Sequence, residues 1–224
     1  MTRPTTLETE IDSVPLSRAE VQANYDRISG WYDLLEGIWE KQAKETGLQQ
    51  FRVRSGERNL EIGIGTGHSL VALADSGQVY GLDLSPRMIQ RSQARLNEEK
   101  RSAWTSLTQG DAIQLPFRDN SFDGIFMSFV LELFDTPEIP RVLDECHRVL
   151  HPQRGRICVI SLTKSGQSTW VRRLYEWGHR NFPKFLDCRP IFVQQALEQT
   201  GYQIIEAIRV SIWGLPVEIV LAEP

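Results

Sequence analysis

The residues best suited to chemistry are three glycines at alternate positions, Gly63, Gly65 and Gly67, which follow a predicted strand at 59–62. Glycine permits unusual φ values and lets a ligand lie against the backbone. Twenty residues after Gly63 (83 minus 63), Asp83 ends the next predicted strand. A carboxylate at that place can accept hydrogen bonds from both hydroxyls of a ribose. Together these features suit a cofactor that contains a nucleoside.

Two details narrow the choice of cofactor. The glycines follow the pattern G-x-G-x-G, whereas the dinucleotide pattern G-x-G-x-x-G would need its third glycine at His68. A second acidic residue, Asp111, lies in Gly110-Asp111-Ala112 after the third predicted strand. Its carboxylate can accept from an adenine amino group while the next backbone N–H faces a ring nitrogen. No G-K-[ST] follows the glycines, so the phosphate-binding P-loop is absent.

These residues need a scaffold of alternating strands and helices. The hydrophobic pattern predicts strands at 59–62, 78–82, 105–109, 124–129, 156–162, 203–210 and 217–222. It predicts helices at 17–27, 31–51, 69–74, 86–97, 139–150 and 191–200. Repeated strand–helix units with short connections indicate an α/β fold with a largely parallel sheet covered by helices.

We expect a flexible N-terminal tail over residues 1–16 and a single domain over 17–224, with N-terminal helices at 17–51. The segment 164–190 interrupts the alternation of strands and helices. Between 164 and 189 it carries five Trp, Tyr or Phe residues and six Lys or Arg against two acidic residues. It is predicted to be a lid or acceptor-pocket insertion, or else a helical hairpin that only caps the sheet.

Composition excludes several classes of protein. The net charge of −4 argues against a protein that binds mainly the nucleic-acid backbone, since such proteins carry an excess of basic residues. The three cysteines, Cys146, Cys158 and Cys188, match no zinc or disulfide spacing, so we expect no metal and a reduced, cytoplasmic protein. The first residues lack the apolar core of a secretory signal, and no apolar run is long enough to span a bilayer.

Several short blocks of sequence carry a family resemblance. In order they are Tyr25-Asp26-Arg27, Trp31-Tyr32-Asp33, LEIGIGTG at 60–67, GLDLS at 81–85 with Met88, Gly110-Asp111-Ala112, LPF at 115–117, NSFD at 120–123 and ECHRVL at 145–150. From about Tyr25 to Gly155 the chain thereby resembles the class I S-adenosylmethionine-dependent methyltransferases, and within them the ubiquinone/menaquinone-biosynthesis methyltransferase family. The resemblance implies a Rossmann-like, doubly wound, mostly parallel seven-stranded sheet with helices on both faces and the last strand antiparallel.

The resemblance also implies roles for individual residues around S-adenosylmethionine, whose product is S-adenosylhomocysteine. The implied cofactor contacts are Glu61, Gly63, Gly65 and Gly67 around the methionine part, Asp83 on the ribose, Leu84 and Met88 against the adenine, Asp111 and Ala112 at the adenine edge, Ser128 near the sulfur, and Tyr25 closing the pocket. For Leu84 and Met88, plain core packing is an equal alternative. The candidate acceptor contacts are Trp31, Tyr32, Phe129, Trp170, Tyr175, His179 and Arg189.

Methyl transfer requires alignment of the acceptor more than a catalytic dyad. An amine acceptor needs only to arrive neutral, whereas a hydroxyl or activated carbon needs a base. Candidate bases are His179, Glu132 and Tyr32, although His179 also fits a surface role and Glu132 a helix cap. His68 and His147 fit surface or structural roles.

The sequence leaves three classes of methyl acceptor as alternatives: a quinol-type ring, an amine headgroup and a natural-product scaffold. Family members that act on quinones often carry an Arg-Asn pair after the fourth strand, and this chain has Ser-Phe-Val-Leu-Glu-Leu-Phe at 128–134 instead. The basic segment is compatible with an anionic membrane surface or a second copy of the chain. Two alternatives to a small-molecule or lipid-like methyltransferase are a catalytically silent binding subunit and an NAD-dependent oxidoreductase. We expect no nucleic-acid partner.

Overall fold

The computed structural model describes residues 40–75, 77–164, 190–212 and 214–224. Its helices, numbered here in chain order, are α1 (Lys41–Phe51), α2 (His68–Ala74), α3 (Pro86–Glu98), α4 (Ile139–Val149) and α5 (Val193–Gln199). Its strands are β1 (Arg58–Ile62), β2 (Gln78–Asp83), β3 (Thr105–Gln109), β4 (Gly124–Ser128), β5 (Arg156–Leu162), β6 (Gln203–Ile212) and β7 (Leu215–Glu223). Short 3₁₀ turns lie at Ser102–Trp104 and Leu131–Leu133.

The strands of the described residues form one sheet in the order β3-β2-β1-β4-β5-β7-β6. Neighbours from β3 to β5 pair in parallel, whereas β7 runs antiparallel to both β5 and β6. The predicted fold, a mostly parallel seven-stranded sheet with its last strand antiparallel, is therefore confirmed. The direction of winding reverses between β1 and β4, and ligands of such sheets bind outside the carboxyl ends of the strands at that point.

Both faces of the sheet are covered by helices, as predicted. Apolar residues of α4 and α5 pack on one face with the side chains of Val159 and Val220. Apolar residues of α1, α2 and α3 pack on the other face with those of Phe126 and Ile160. Burying each large apolar side chain contributes about 1.5–3 kcal/mol, so these two layers supply most of the driving force for folding.

Helix α1 is fixed against β5 by one close contact and one buried side chain. A Cβ on Gly47 would lie 2.5 Å from Cδ1 of Ile160, so any other residue there would require the Ile160 side chain to shift. At the helix end, Arg156 donates to the backbone oxygen of Phe51 at 2.7 Å and to the carboxylate of Glu57 at 2.7 and 2.9 Å. The direction of α1 brings its first residues to the carboxyl end of β5.

Most predicted boundaries differ from the structure by one or two residues, and two of the differences have a local cause. Strand β4 ends at Ser128 rather than Phe129, because Phe129 adopts a φ of +55°. The last helix begins at Val193, since Ile191 instead forms a β-bridge with Thr163. Of the helix predicted over 31–51, the residues before 40 lie outside the described residues, and α1 begins at Lys41. In the part of the chain described, no helix has the length and hydropathy that crossing a membrane requires.

Candidate active site

The residues predicted to do chemistry meet along one edge of the sheet. The segment 63–67 follows β1, Asp83 ends β2, Asp111 follows β3 and Ser128 ends β4. Because the carboxyl ends of parallel strands lie at the same edge, all four groups surround the point where the winding reverses. The N–H of Gly110 donates to the backbone oxygen of Asp83 at 3.0 Å and joins two of these strand ends.

The loop after β1 adopts backbone conformations that favour glycine at three positions. The φ values of Gly63, Gly65 and Gly67 are +71°, +52° and +85°. The Gly63 N–H donates to the backbone oxygen of Leu82 at 2.7 Å. A Cβ added to Gly63 would collide with Cγ2 of Val130, which follows β4. The glycines therefore allow the loop after β1 to lie directly against the loop after β4.

Two side chains of α3 hold this glycine loop from behind, and sequence reasoning missed both. The hydroxyl of Ser92 donates to the backbone oxygen of Gly65 at 3.0 Å, and Nε of Arg95 donates to that of Thr66 at 2.8 Å. Ser92 is fully buried, and a Cβ on Gly67 would lie 3.1 Å from its Cα. Their spacing of three residues places them on one helix face, which was the available signal.

Asp83 lies half-buried between two backbone segments that fix its carboxylate. Its Oδ2 accepts from the N–H of Gly65 at 3.1 Å, and its Oδ1 accepts from the N–H of Ser85 at 2.8 Å. An ionised carboxylate offers about four lone-pair positions, so the same group can accept hydroxyl donors as well. The orientation that these N–H groups impose fits the predicted contact with a ribose.

The neighbours of Asp83 differ in their exposure. Leu84 is half-buried, which is compatible with contact to a ligand. Met88 is buried in α3, where its N–H donates to the capping hydroxyl of Ser85 at 3.2 Å. Glu61 is buried within β1. The burial of Met88 is consistent with the packing alternative, and contact with the adenine stays a prediction for both Leu84 and Met88.

The loop after β3 is held by helix α4. Oδ1 of Asp111 accepts from the N–H of Ile113 at 3.1 Å. Glu145 accepts from the N–H of Leu115 at 2.8 Å, and Arg148 donates to the backbone oxygen of Leu115 at 3.1 Å. Hydrogen bonds from Arg148 hold the pKa of Glu145 below its ordinary value of 4.5, against the effect of burial. Within the ECHRVL block, these two residues therefore position the loop that carries Asp111 and the buried Ala112.

The chain is strained where it leaves β4. Ser128 is buried, and its Oγ has no hydrogen-bond partner among the described residues. Phe129, predicted as an acceptor contact, is buried in the core on the α1–α3 face. Its φ of +55° is rare for a bulky residue, and its N–H donates to the backbone oxygen of Ile160 at 2.8 Å. Such strain concentrates at functional sites, where the surrounding structure maintains it.

Glu132 is the one predicted base that the structure describes. It lies in the 3₁₀ turn Leu131–Leu133, just beyond the end of β4, and its side chain is 0% exposed. Oε1 accepts from the N–H of Leu162 at 3.3 Å, and Oε2 has no hydrogen-bond partner among the described residues. Burial raises the pKa of this carboxyl from 4.5 to about 8.

The other predicted site residues take no part in the described edge. Tyr25, Trp31, Tyr32, Trp170, Tyr175, His179 and Arg189 lie outside the described residues. His147 packs edge-on against Tyr202 with ring centroids 5.4 Å apart, in agreement with its predicted structural role. His68 is exposed at the start of α2.

Comparisons with known sequences agree with this geometry. The profile of a family described as "Methyltransferase domain" matches residues 60–159. The demethylmenaquinone methyltransferase of Geobacillus sp. (strain WCH70) is 30% identical over 168 residues, 72% of this chain and 67% of that protein. The demethylmenaquinone methyltransferase of Symbiobacterium thermophilum is 32% identical over 148 residues, 62% of this chain and 58% of that protein. The match thus covers about three fifths to two thirds of the length of these relatives.

Solved structures share the fold at low sequence identity. The [4+2]-cyclase SpnF superposes with a TM-score of 0.75 at 17% identity, covering 95% of this chain and 98% of that chain. A SAM-dependent methyltransferase from Aquifex aeolicus gives a TM-score of 0.62 at 20% identity, covering 90% and 97%. Because one of these neighbours is a cyclase, the fold by itself does not determine the reaction.

The sheet order, the glycine loop after β1 and the carboxylates at the ends of β2 and β3 are features of the class I S-adenosylmethionine-dependent methyltransferases. The identity to its curated relatives then places it further: the chain belongs to the ubiquinone/menaquinone-biosynthesis methyltransferase family. The residues present fit the cofactor of this class. The loop at Gly63 has no room for a side chain, and the buried hydroxyl of Ser128 beside it has no hydrogen-bond partner among the described residues, so it could bind a polar atom of the cofactor.

Proposed function

We propose that this protein transfers the methyl group of S-adenosylmethionine to a small-molecule or lipid-like acceptor that carries a hydroxylated, quinol-like ring. The observation that carries the proposal is the glycine loop held between β1, β4 and α3, with the oriented carboxylate of Asp83 beside it. The names of the two curated relatives, both demethylmenaquinone methyltransferases, support the quinol-like ring.

The residues of this chain would bind and orient the two substrates. When bound, S-adenosylmethionine supplies a methyl group activated by a sulfonium. Asp83 would accept hydrogen bonds from the ribose hydroxyls, and Asp111 from the adenine amino group. The glycine loop would let the methionine part lie against the backbone, with Ser128 nearby. Holding an acceptor in line with the methyl group contributes about 7–11 kcal/mol to lowering the barrier.

The acceptor side of the site rests on fewer observations. The aromatic contacts predicted from sequence lie outside the described residues. Contact with a membrane surface, a homodimer and a cytoplasmic location are likewise predictions from the sequence. The Arg-Asn pair of quinone-methylating relatives is absent after β4, so a ring hydroxyl would have to meet a different side chain there.

A labelling experiment tests the proposed function. The purified full chain is incubated with methyl-labelled S-adenosylmethionine and either a short-chain demethylmenaquinol or vesicles that contain phosphatidylethanolamine. We expect label in the quinol and none in the amine headgroup. Label in phosphatidylethanolamine alone would contradict the quinol-like acceptor. Tight binding of S-adenosylhomocysteine without transfer to either probe would favour the catalytically silent binding subunit.

A further inference from the structure

Glu132 lies beside the cofactor edge and on the side of β4 that faces β5. Two residues before it, Val130 packs against Gly63 of the cofactor loop. On its other side, the N–H of Leu162 at the end of β5 donates to its Oε1. The carboxyl group is thus held between the ends of β4 and β5, next to the place where the sheet binds its cofactor.

The hydrogen bonds of Glu132 differ from those of Glu218, another carboxyl buried in the sheet. Glu218 of β7 is also 0% exposed, and both of its oxygens have partners. Its Oε1 accepts from Gln194 at 2.7 Å and from Arg209 at 3.0 Å, and its Oε2 accepts from Thr163 at 3.4 Å. Oε2 of Glu132 has no such partner among the described residues. A buried polar atom without a partner is costly, and a ligand is one way to satisfy it.

The charges around Glu132 leave its carboxyl easy to protonate. From α1, Glu40 faces it and raises its pKa, although Lys44 lies 2.9 Å from Glu40 and offsets part of that charge. From β5, the hydroxyl of Ser161 and the N–H of Leu162 oppose the effect of burial. Within the described residues, Arg209 of β6 forms an ion pair with Glu218 rather than with Glu132. No described cation is paired with Glu132.

We propose that Glu132 is the catalytic residue that removes the proton of the methyl acceptor, and that the acceptor therefore presents an ionisable hydroxyl. This inference rests on the proposed function. The acceptor O–H bond breaks and its proton goes to the carboxylate. A bond forms between the methyl carbon and the nucleophilic atom of the acceptor, which is the hydroxyl oxygen or a ring carbon conjugated with it, while the carbon–sulfur bond breaks and leaves its electron pair on sulfur. Where that atom is a ring carbon, its C–H bond then breaks, and the proton moves to the ring oxygen and restores the hydroxyl. The proton held by Glu132 passes to solvent, so one proton is released for each methyl transferred.

The chemistry of the acceptor follows from this role. A neutral amine brings its own lone pair and gains nothing from a base, whereas a phenolic hydroxyl becomes a strong nucleophile only when its proton leaves. A base is most effective when its pKa lies near the working pH, and the value of about 8 for Glu132 meets that condition. Glu132 also stands in the segment where the Arg-Asn pair is absent.

The variant Glu132→Gln tests the proposal. Glu218→Gln is the matched control, because Glu218 is equally buried but both of its carboxylate oxygens have hydrogen-bond partners. Infrared spectra of the protein without acceptor, recorded over about pH 5 to pH 10, should show a protonated-carboxyl band that titrates near pH 8 and is missing only in Glu132→Gln. Calorimetry should give wild type and Glu132→Gln affinities for S-adenosylhomocysteine within about threefold of each other. Transfer to the demethylmenaquinol probe should fall about 100-fold or more in Glu132→Gln, the usual contribution of a general base.

Two outcomes would overturn the inference. They are a transfer rate in Glu132→Gln that stays within about threefold of wild type across this pH range, or an equal loss in both variants. Failure of the proposed function has a different signature, because wild type itself would then transfer no methyl group to the demethylmenaquinol probe. Glu132→Asp keeps the acid but shortens its reach, so we expect a rate between those of wild type and Glu132→Gln.

Discussion

Replacing Glu132 by Gln should change how stability depends on pH. The pKa of this carboxyl is about 8 in the folded protein against 4.5 as the ordinary value, a difference worth about 5 kcal/mol at about 1.4 kcal/mol per pH unit. Because the folded state holds the proton more tightly, the stabilising contribution is complete below pH 4.5 and is lost as the pH rises through 8. Wild type should therefore lose about 3.5 kcal/mol between about pH 5 and about pH 8 from this group. Gln does not titrate, so the variant should lack this loss.

Urea unfolding at a series of pH values measures the effect. Other described groups act in other windows: Glu57 and Glu145 have lowered pKa values, so their contributions disappear only as the pH falls below their ordinary range. Ser161→Ala removes a hydroxyl that lowers the pKa of Glu132, so it should move the loss of stability to higher pH. Parallel curves for wild type and Glu132→Gln, separated by a constant amount over the whole range, would refute the reasoning.

Three further substitutions test the cofactor edge and its support. Gly63→Ala should cost about 2–4 kcal/mol of stability, from positive φ and from collision with Val130, and should abolish binding of S-adenosylhomocysteine; adding Val130→Ala should restore part of the stability in thermal unfolding. Arg156→Met should cost about 2–4 kcal/mol in urea unfolding, because it leaves the half-buried carboxylate of Glu57 and two backbone oxygens without their donor; a loss below about 1 kcal/mol would contradict this. Asp83→Ala should weaken S-adenosylhomocysteine binding by at least about 100-fold in calorimetry, from two lost hydrogen bonds to a charged acceptor, whereas Asp75→Ala, in a surface ion pair with Arg101, should change it by less than about twofold.

Much of the fold is predictable from the sequence because local patterns determine it. The strands β3 and β5 have the predicted bounds: β5 is a mostly apolar run that begins after Gly155, and β3 ends before Gly110. The end of β4 was predicted one residue too late. Phenylalanine has a high propensity for strands, so the sequence predicts Phe129 as a strand residue. In the structure its φ is positive, and its N–H donates to the backbone oxygen of Ile160 on the neighbouring strand. That hydrogen bond is not visible in the sequence.

The candidate site likewise contains some residues that the sequence predicts and others that it does not. The glycines and Asp83 are visible in sequence because their spacing is dictated by backbone geometry close to the loop. The support from Ser92 and Arg95 depends on how α3 packs against that loop, and their spacing shows only that they share a helix face. The environment of Glu132 likewise depends on β5, thirty residues further along the chain (162 minus 132). Its position could be predicted from the sequence, but the lack of a partner for its Oε2 among the described residues could not.

The most direct test of the central claim is calorimetric titration of the purified chain with S-adenosylmethionine, S-adenosylhomocysteine and NAD. The glycine loop and the carboxylates of Asp83 and Asp111 predict micromolar binding of the first two ligands and no binding of NAD. Binding of NAD alone, or of none of the three, would contradict the assignment of this edge of the sheet as a site for S-adenosylmethionine.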